Sequence, residues 1–201
     1  SMTEFLKGFI PYGEQEAEIY NKFRWWSGLT LGDILDRAAL IHPKKEAFVD
    51  KNTRMTYGEA RNKTDRLALG LIDLGVKPLD RVLVQLPNWN EFVFAYFALQ
   101  KIGAIPVLLI DRYRQFEINR LITLSGATAW MVASEYRKTD YIPIINDVVR
   151  EQPELKTVIT VRGNNPSFLN LDNIIAGTTF NQAQLDRLIL HRPDPMQVAH
   201  M

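Results

Sequence analysis

Short apolar runs alternate with segments of helical spacing from residue 75 onward. The runs that predict strands are residues 81–86, 104–110, 128–133 and 157–161, and the segments that predict helices between them are 88–103, 115–124 and 141–151. Apolar runs of this length, bounded by turn residues, are typical of buried strands. Strands that alternate with helices at this spacing favour right-handed crossovers and a parallel sheet. The pattern predicts an α/β fold, a layered parallel sheet with flanking helices.

The part of the chain before this region predicts one helix and a hairpin. Thr30 can cap a helix whose apolar residues recur at helical spacing until His42 and Pro43 end it. Residues 46–50 and 54–56 then predict two short strands that are joined by a tight turn.

Two further helix starts have the spacing of a capping box. Thr56 and Glu59 predict a helix that runs to about residue 74, with Gly75 as its end. Asn88 and Glu91 predict the start of the helix at 88–103, with Asn88 as its cap.

The helix predicted at 88–103 is apolar nearly all round, because residues 92–99 read FVFAYFAL. A helix without a polar face is buried on more than one side. We therefore expect this helix to lie between two layers of the fold, with Phe94 and Phe97 both shielded from water.

The remaining segments complete the predicted domain organisation. Residues 1–28 are interpreted as a lead-in that packs on the domain, residues 163–180 as loop, and residues 182–190 as a last helix. Residues 192–201 read as a polar turn followed by the first residues of a strand. We interpret residues 29–201 as an incomplete α/β portion and expect the natural protein to continue.

Composition excludes several classes of function. Apolar residues make up 46% and charged residues 23%, as in ordinary globular proteins, and the net charge of +1 gives no strong attraction to nucleic acid or acidic membranes. Cysteine is absent, which removes disulfides and thiolate chemistry and fits a reducing compartment. The longest apolar run is far shorter than the roughly 20 residues of a membrane helix, and no signal-peptide pattern precedes it. We expect a cytoplasmic protein with no membrane span and no nucleic-acid partner.

The loops at the carboxyl ends of parallel strands are the first candidates for a site. Neither the dinucleotide-binding glycine pattern nor the P-loop pattern occurs in the sequence. The turn after residue 110 offers Arg112, Tyr113 and Arg114, which could hold a phosphate or carboxylate by bidentate hydrogen bonds. The favoured alternative is a solvated turn whose arginines pair with nearby carboxylates.

Two segments resemble nucleotide motifs but lack their essential residues. Residues 176–180, AGTTF, have Phe180 where a phosphate loop needs glycine, and no lysine follows. Residues 56–60, TYGEA, have Ala60 and Arg61 where a Tyr-Gly-x-Thr-Glu motif has Thr and Glu. We interpret both segments as structural.

Histidines and aromatic residues add no site. His42, His191 and His200 lack partners at metal-ligand spacing and are interpreted as surface or capping residues. Residues 22–26, KFRWW, interleave basic and aromatic side chains as single-stranded nucleic-acid sites do, but the near-neutral net charge favours packing of the lead-in. The residues themselves identify no catalytic, cofactor-binding or metal-binding residue.

Longer stretches of the chain resemble a known family. Residues 55–76, MTYGEARNKTDRLALGLIDLGV, and residues 75–127, from GVKPLDRVLVQLPNWNEF to LITLSGA, closely resemble the N-terminal region of adenylate-forming, AMP-binding enzymes, the superfamily of acyl-CoA synthetases and aryl-acid ligases. Residues 6–35 are most similar to the 2,3-dihydroxybenzoate–AMP ligase branch. The resemblance covers nearly the whole chain, and members of the family are well over twice as long.

The resemblance implies an enzyme that uses ATP and magnesium to join a small carboxylic acid to AMP. The acyl group then passes to the thiol of coenzyme A or of a carrier pantetheine. The family's phosphate loop, its adenine motif and its catalytic lysine come after the part that this sequence matches, so no functional residue carries over. We expect the chain alone to be an inactive scaffold that ends before the phosphate loop, binds no cofactor, and self-associates through exposed apolar surface.

Two alternatives stay open. The parent enzyme could be a fatty-acyl-CoA synthetase, because the acyl pocket of the family lies outside the matched part. The chain could also be a stand-alone binding or interaction domain that evolved from the same scaffold and ends at residue 201.

Overall fold

The computed structural model describes residues 31–49 and 53–192. The strands in these ranges are β1 (Glu46–Val49), β2 (Arg54–Thr56), β3 (Arg81–Gln85), β4 (Ile105–Leu108), β5 (Ala129–Ala133), β6 (Glu135–Tyr136), β7 (Thr139–Asp140), β8 (Thr157–Val161) and β9 (Leu169–Asn170). The helices are α1 (Leu31–Ile41), α2 (Tyr57–Asp73), α3 (Asn90–Lys101), α4 (Gln115–Ser125), α5 (Ile142–Glu151), α6 (Leu171–Gly177) and α7 (Gln182–Leu190).

A parallel sheet is the centre of the fold. Its strands lie in the order β4-β3-β5-β8-β9, and each neighbouring pair is parallel. Leu83 of β3 lies between Val107 of β4 and Trp130 of β5. The hairpin of β1 and β2 stands apart as an antiparallel pair. The predicted α/β class and layered parallel sheet are confirmed.

Side chains of the central strands alternate between two hydrophobic cores. Val82 and Val84 face a core that is shared with α2 and α3. Leu83 and Trp130 face a second core, which is shared with α4 and α5. This alternation follows from the two-residue period of a strand, and it explains why the strands read as continuous apolar runs in the sequence.

Helix α3 is packed on more than one side, as its sequence predicts. Phe94 is 1% exposed, and Phe97 is half-buried against the same core. Neighbouring helices α1 and α2 both contact α3. The two phenylalanines are therefore shielded from water as expected.

Helix α2 begins with the predicted capping box. The Thr56 hydroxyl accepts a hydrogen bond from the backbone N–H of Glu59, and the Glu59 carboxylate accepts one from the backbone N–H of Thr56. These hydrogen bonds, first the one from the Thr56 backbone, lower the pKa of the Glu59 carboxyl. After the helix, Gly75 adopts a positive φ of 87°, which ends it as predicted.

Among the described residues, strand β4 lies at the edge of the sheet, and it contains a proline. The backbone N–H groups of Ile105 and Leu109 donate towards β3, to Asp80 and Val84. Pro106 therefore has its missing N–H on the outer side of β4, where the sheet loses no hydrogen bond. A proline at this position also blunts the open edge against pairing with another strand.

A buried charge network joins the helices on one face of the sheet. The Lys101 Nζ lies 2.5 Å from Oδ1 of Asp36 and 2.5 Å from Oδ1 of Asp65, and Lys101 and Asp65 are 5% and 1% exposed. Arg61 and Arg192 complete the network by contacting Asp36. Burial raises the pKa of the Asp65 carboxyl, against the opposing attraction of Lys101.

Two sequence expectations are corrected, and one element of the fold was not predicted. Asn88 is exposed and does not cap α3; Trp89 occupies the cap position without a side-chain hydrogen bond, because the helix begins later, at Asn90. Residues 163–180 are not all loop, because they contain β9 and α6, whose start is capped by Asn170. The hairpin of β6 and β7 was not predicted, because its turn lacks glycine and asparagine.

Several predictions fall on residues outside the described ranges. They concern the lead-in at 1–28, the helix cap at Thr30, the turn at 51–52, the KFRWW segment, His200 and the strand-like residues 196–201. Within residues 31–49 and 53–192, none of the helices has the length and apolar character that crossing a membrane requires.

Candidate functional site

The sheet reverses its direction of growth beside β3. The chain adds β4 on one side of β3 and then crosses back to add β5 on the other side. In open α/β sheets, ligands bind at such a switch point, in the crevice outside the carboxyl ends of the strands. Here that crevice lies between residues 86–90, which follow β3, and residues 134–138, which follow β5.

Two aromatic side chains meet across this crevice. Trp89 and Tyr136 pack edge to face, with ring centroids 5.8 Å apart and an angle of 84° between the ring planes. Both are partly buried against the core that contains α2 and α3. The protein's own side chains therefore occupy the place where a ligand of an open sheet would enter.

Arg162, directly after β8, covers this aromatic pair. Its guanidinium carbon lies 3.8 Å from the Trp89 ring centroid. Its Nε donates to Oε1 of Glu91 at 2.8 Å, and its Nη2 donates to Oε2 at 3.0 Å. A stacked and bidentate arginine has its face and one N–H edge committed to protein contacts. Glu91, which the sequence placed in a capping box, serves instead as the partner of Arg162.

The two arginines of the turn after β4 have different environments: Arg114 forms hydrogen bonds within the protein, and Arg112 is exposed. The Nη1 of Arg114 donates to the backbone oxygens of Asp111 and Tyr113 at 3.3 and 3.1 Å, and its Nη2 donates to Thr139 Oγ1 at 3.3 Å. Arg114 therefore links its own turn to strand β7 by hydrogen bonds. Its N–H groups have protein acceptors, so Arg114 is not part of the anion clamp that was one interpretation of this turn. Arg112 is exposed.

Tyr141 is buried and forms a hydrogen bond with Arg114. Its hydroxyl donates to the backbone oxygen of Asp111 and accepts a hydrogen bond of 2.8 Å from Arg114. Burial raises the pKa of the Tyr141 phenol, although Arg114 acts in the opposite direction. The phenol is satisfied on both sides, so its role is to hold the turn.

The hairpin that the sequence did not predict carries further cations at the same edge. Strands β6 and β7 are joined by Arg137 and Lys138, whose φ angles are 48° and 64°. Two-residue turns with positive φ at both positions favour Asn-Gly. The guanidinium of Arg137 lies 5.1 Å from the Tyr136 ring centroid. The only sequence signal for this feature is an apolar strand that ends in a cluster of charges, SEYRKTD.

The two nucleotide-like segments are parts of helix ends. Residues 56–60 form the start of α2, and Thr178, which follows α6, accepts a hydrogen bond from Arg66 through its backbone oxygen. Phe180 packs on the core and under the same arginine. Their structural interpretation agrees with these positions.

The two histidines in the described ranges lie at helix ends. His42 is exposed after α1, and His191 caps the carboxyl end of α7, with its Nδ1 2.9 Å from the backbone oxygen of Arg187. Both positions agree with the surface and capping roles predicted for them.

Comparison with known proteins decides the family. Residues 35–200 match the model of the family described as AMP-binding enzyme. The chain belongs to this family. It is 37% identical to 2,3-dihydroxybenzoate-AMP ligase of Bacillus subtilis (strain 168), over 85% of this chain and 32% of that protein. It is 36% identical to salicyl-AMP ligase / salicyl-S-ArCP synthetase of Mycobacterium tuberculosis, over 85% of this chain and 31% of that protein.

A solved structure shows the same fold. The apo structure of MbtA from Mycobacterium smegmatis superposes with a TM-score of 0.78 at 31% identity, over 95% of this chain and 34% of that one. The chain therefore spans about a third of the length of these three relatives.

The described part of this AMP-binding family member does not fit the cofactors that the family uses. Among residues 31–49 and 53–192, no group of three or more His, Cys, Asp and Glu side chains could hold a metal ion. In the same ranges, no glycine-rich loop follows a strand of the parallel sheet, and the crevice at its carboxyl ends is occupied by Trp89, Tyr136 and Arg162. No step of ATP chemistry is therefore assigned to these residues.

Proposed function

We propose that this chain is one part of a longer ATP-dependent ligase that activates a small aryl carboxylic acid. In the whole enzyme, the carboxylate attacks the α-phosphate of ATP, which gives an acyl-adenylate and releases pyrophosphate. The acyl group then passes to a thiol, either of coenzyme A or of a carrier pantetheine. The observation that carries this proposal is the match to the AMP-binding family over residues 35–200.

The aryl-acid substrate is supported by the relatives. The two relatives described above are named as ligases of 2,3-dihydroxybenzoate and of salicylate, and each is more than a third identical to this chain. A fatty-acyl-CoA synthetase and a stand-alone binding domain remain the competing proposals, and the experiment below separates them. A cytoplasmic location is likewise a proposal.

The role that we propose for this part is to support the nucleotide site and not to form it. Transfer at phosphorus requires positioned cations or backbone donors to stabilise charge on the leaving pyrophosphate. At the carboxyl edge, Arg114 and Arg162 are held by protein acceptors. We therefore assign binding of ATP and Mg²⁺ to the residues that the longer relatives have beyond the matched part.

Carboxylate-dependent exchange of labelled pyrophosphate into ATP tests this function. The 201-residue chain and the product of the gene extended beyond residue 201 are compared on a panel of aryl and fatty acids. We expect exchange only with the longer protein, and only with aryl acids. Exchange by the 201-residue chain would contradict the supporting role, exchange with fatty acids alone would favour the fatty-acyl alternative, and a stop codon directly after residue 201 would favour the stand-alone domain.

A further inference from the structure

We propose that the aromatic residues at 23–26 dock on the outer face of α1, where Ile34, Ala38 and Ile41 form an apolar line, here called the outer stripe. These aromatic residues belong to the lead-in, outside the described ranges, and the outer stripe belongs to the described part of the chain. The docking is an interaction within one chain and does not depend on the proposed ligase activity.

Helix α1 is apolar on two sides. Leu35 and Ala39 lie on its buried side and are 3% and 4% exposed. Ile34 and Ile41 are turned away from that side and are 49% and 59% exposed, with Ala38 half-buried between them. The spacing of these three residues, i, i+4 and i+7, brings their side chains onto one line of the helix. A helix that is apolar on more than one side is typically buried on more than one side, so the outer stripe needs a cover.

Aromatic residues are concentrated in the segment that precedes α1. Residues 1–30 make up less than a sixth of the chain but hold a third of its Phe, Tyr and Trp residues. Those nearest to α1 are Phe23, Trp25 and Trp26. An aromatic side chain buries roughly 150–250 Å² when it is packed, and burial of apolar surface is the dominant favourable term in folding. The lead-in therefore carries apolar groups that need a surface, next to a helix with a partly exposed apolar face.

The aromatic residues can reach the whole outer stripe because they are joined directly to α1. The stretch from residue 23 to the start of α1 spans up to about 26 Å when it is extended, whereas Ile34 and Ile41 are only about 10 Å apart along the helix. Residues 27 and 28 read Ser-Gly, a pair that is typical of turns and allows the chain to fold back. A short covalent link gives a segment an effective concentration in the millimolar range. This favours the lead-in over a second copy or a separate protein.

Arg192, the last described residue, contacts α1 on a different flank. Its Nη1 lies 3.1 Å from Oδ1 of Asp33, and its Nη2 lies 3.2 Å from Oδ2 of Asp36. Positions 33 and 36 are neighbours on the helix surface but do not belong to the line of the outer stripe. The chain that continues towards residue 201 therefore starts beside the aspartate flank, which leaves the outer stripe to the lead-in.

A spin label on α1 tests the docking in the 201-residue chain. The chain has no cysteine and only four tryptophans, so a single introduced cysteine is labelled cleanly and the indole N–H signals are few. A nitroxide on Arg37→Cys, exposed on α1, is compared with one on Glu154→Cys, exposed after α5 on the other face of the sheet. We expect the first label to broaden the NMR signals of Trp25 and Trp26 and the second to leave them sharp. The same signals with both labels would overturn the proposal.

Stability measurements test whether the two groups of side chains contact each other. Ile34→Ser/Ile41→Ser should lower the urea midpoint of the original protein by roughly 0.5–1 M, because it removes the apolar surface that the lead-in covers. It should have little effect once the aromatic residues at 23–26 are replaced by serine, since effects of contacting groups are not additive. Leu40→Ser is the matched control, 76% exposed on another side of α1, and should lower the midpoint in neither background. Equal losses from the isoleucine changes in both backgrounds would overturn the docking.

Two further comparisons separate the lead-in from other occupants of the outer stripe. Spin-labelled chain is mixed with isotope-labelled chain that carries no nitroxide, and broadening as strong as within one chain would assign the stripe to a second copy. The isoleucine and serine variants are also made in the longer ligase, where we expect the same dependence on the aromatic residues. If that dependence is absent there, residues beyond 201 cover the stripe and the proposal is overturned. Neither readout uses catalysis, so failure of the proposed ligase activity would leave these results unchanged.

Discussion

The Nζ of Lys101 lies 2.5 Å from Oδ1 of Asp65, in a layer between helices where both side chains are almost fully buried. This contact joins the last turn of α3 to the middle of α2. A lysine at the end of an otherwise apolar helix is thus an interior residue whose charge is neutralised by two aspartates, Asp36 and Asp65.

Removing one partner of this pair should be far more costly than removing both. We expect Lys101→Met to lower the free energy of unfolding by about 3–5 kcal/mol, because it leaves buried carboxylates without a counter-charge. The double variant Lys101→Met/Asp65→Leu should lose less. Urea denaturation measures both, with Arg54→Ala as the control, since the exposed Arg54–Glu46 pair contributes at most about 1 kcal/mol. If the single and double variants lose the same free energy of unfolding, Lys101 and Asp65 do not form a buried ion pair.

The capping box of α2 should give a defined dependence of stability on pH. Hydrogen bonds, first the one from the Thr56 backbone, lower the pKa of the Glu59 carboxyl below its ordinary value. The stabilisation from Glu59 is therefore fully present above that ordinary pKa and is lost as the pH falls through the folded-state pKa. Glu59→Gln should therefore be destabilising at neutral pH and should match the original protein in acid. Thr56→Ala should cost about 1 kcal/mol at neutral pH. Thermal unfolding at a series of pH values measures these effects. If the loss of stability in Glu59→Gln becomes larger in acid, the predicted direction of the pH dependence is wrong.

Two glycines with nearly the same backbone conformation should respond differently to alanine. Gly75 and Gly163 have φ angles of 87° and 85°, but an added Cβ meets nothing within 4 Å at Gly75 and lies 2.9 Å from the Ser134 Cβ at Gly163. Gly75→Ala should cost about 1–2 kcal/mol from backbone strain alone. Gly163→Ala should lower the free energy of unfolding by more than this, because Ser134 has to move to make room for the added Cβ. Chemical denaturation compares the two, and equal costs would mean that the 134–163 contact is easily relaxed.

The chain should associate with itself through its exposed apolar side chains. Phe116 and Leu124, which lie on α4, are 74% and 72% exposed. Exposed apolar residues that cluster on one face favour association. We expect light scattering to show concentration-dependent oligomers, and Phe116→Ser/Leu124→Ser to reduce them, while Arg150→Ser on α5 has no effect. A monomer at high concentration that also fails to bind an apolar dye would contradict this expectation.

The regular part of the fold follows directly from the sequence. Strand β8 and helix α7 have the predicted bounds, and the capping box at Thr56 and Glu59 forms as its spacing indicates. These features depend on residues that are close in the sequence, so local patterns are sufficient to predict them.

The site could not be predicted in the same way, because its contacts join distant segments. Glu91 meets Arg162 across 71 positions, and the spacing to Asn88 suggested a local role for Glu91 instead. The hairpin was missed because Arg137 and Lys138 carry no turn signal. Arg114 is not available to bind an anion, because it forms hydrogen bonds with Tyr141 and Thr139. The sequence does not show that these two side chains approach Arg114.

Pro106 also limits the pairing of β4 with other copies of the chain during synthesis. Ribosomes that follow one another on a messenger RNA hold many unfinished copies of the same sheet close together, and unpaired strand edges can then join between copies. The outer side of β4 lacks a donor at Pro106, so a strand from another nascent chain cannot form an unbroken ladder there. Because β4 is complete before β5 and β8 have been translated, this protection is present as soon as the first pair of strands can form.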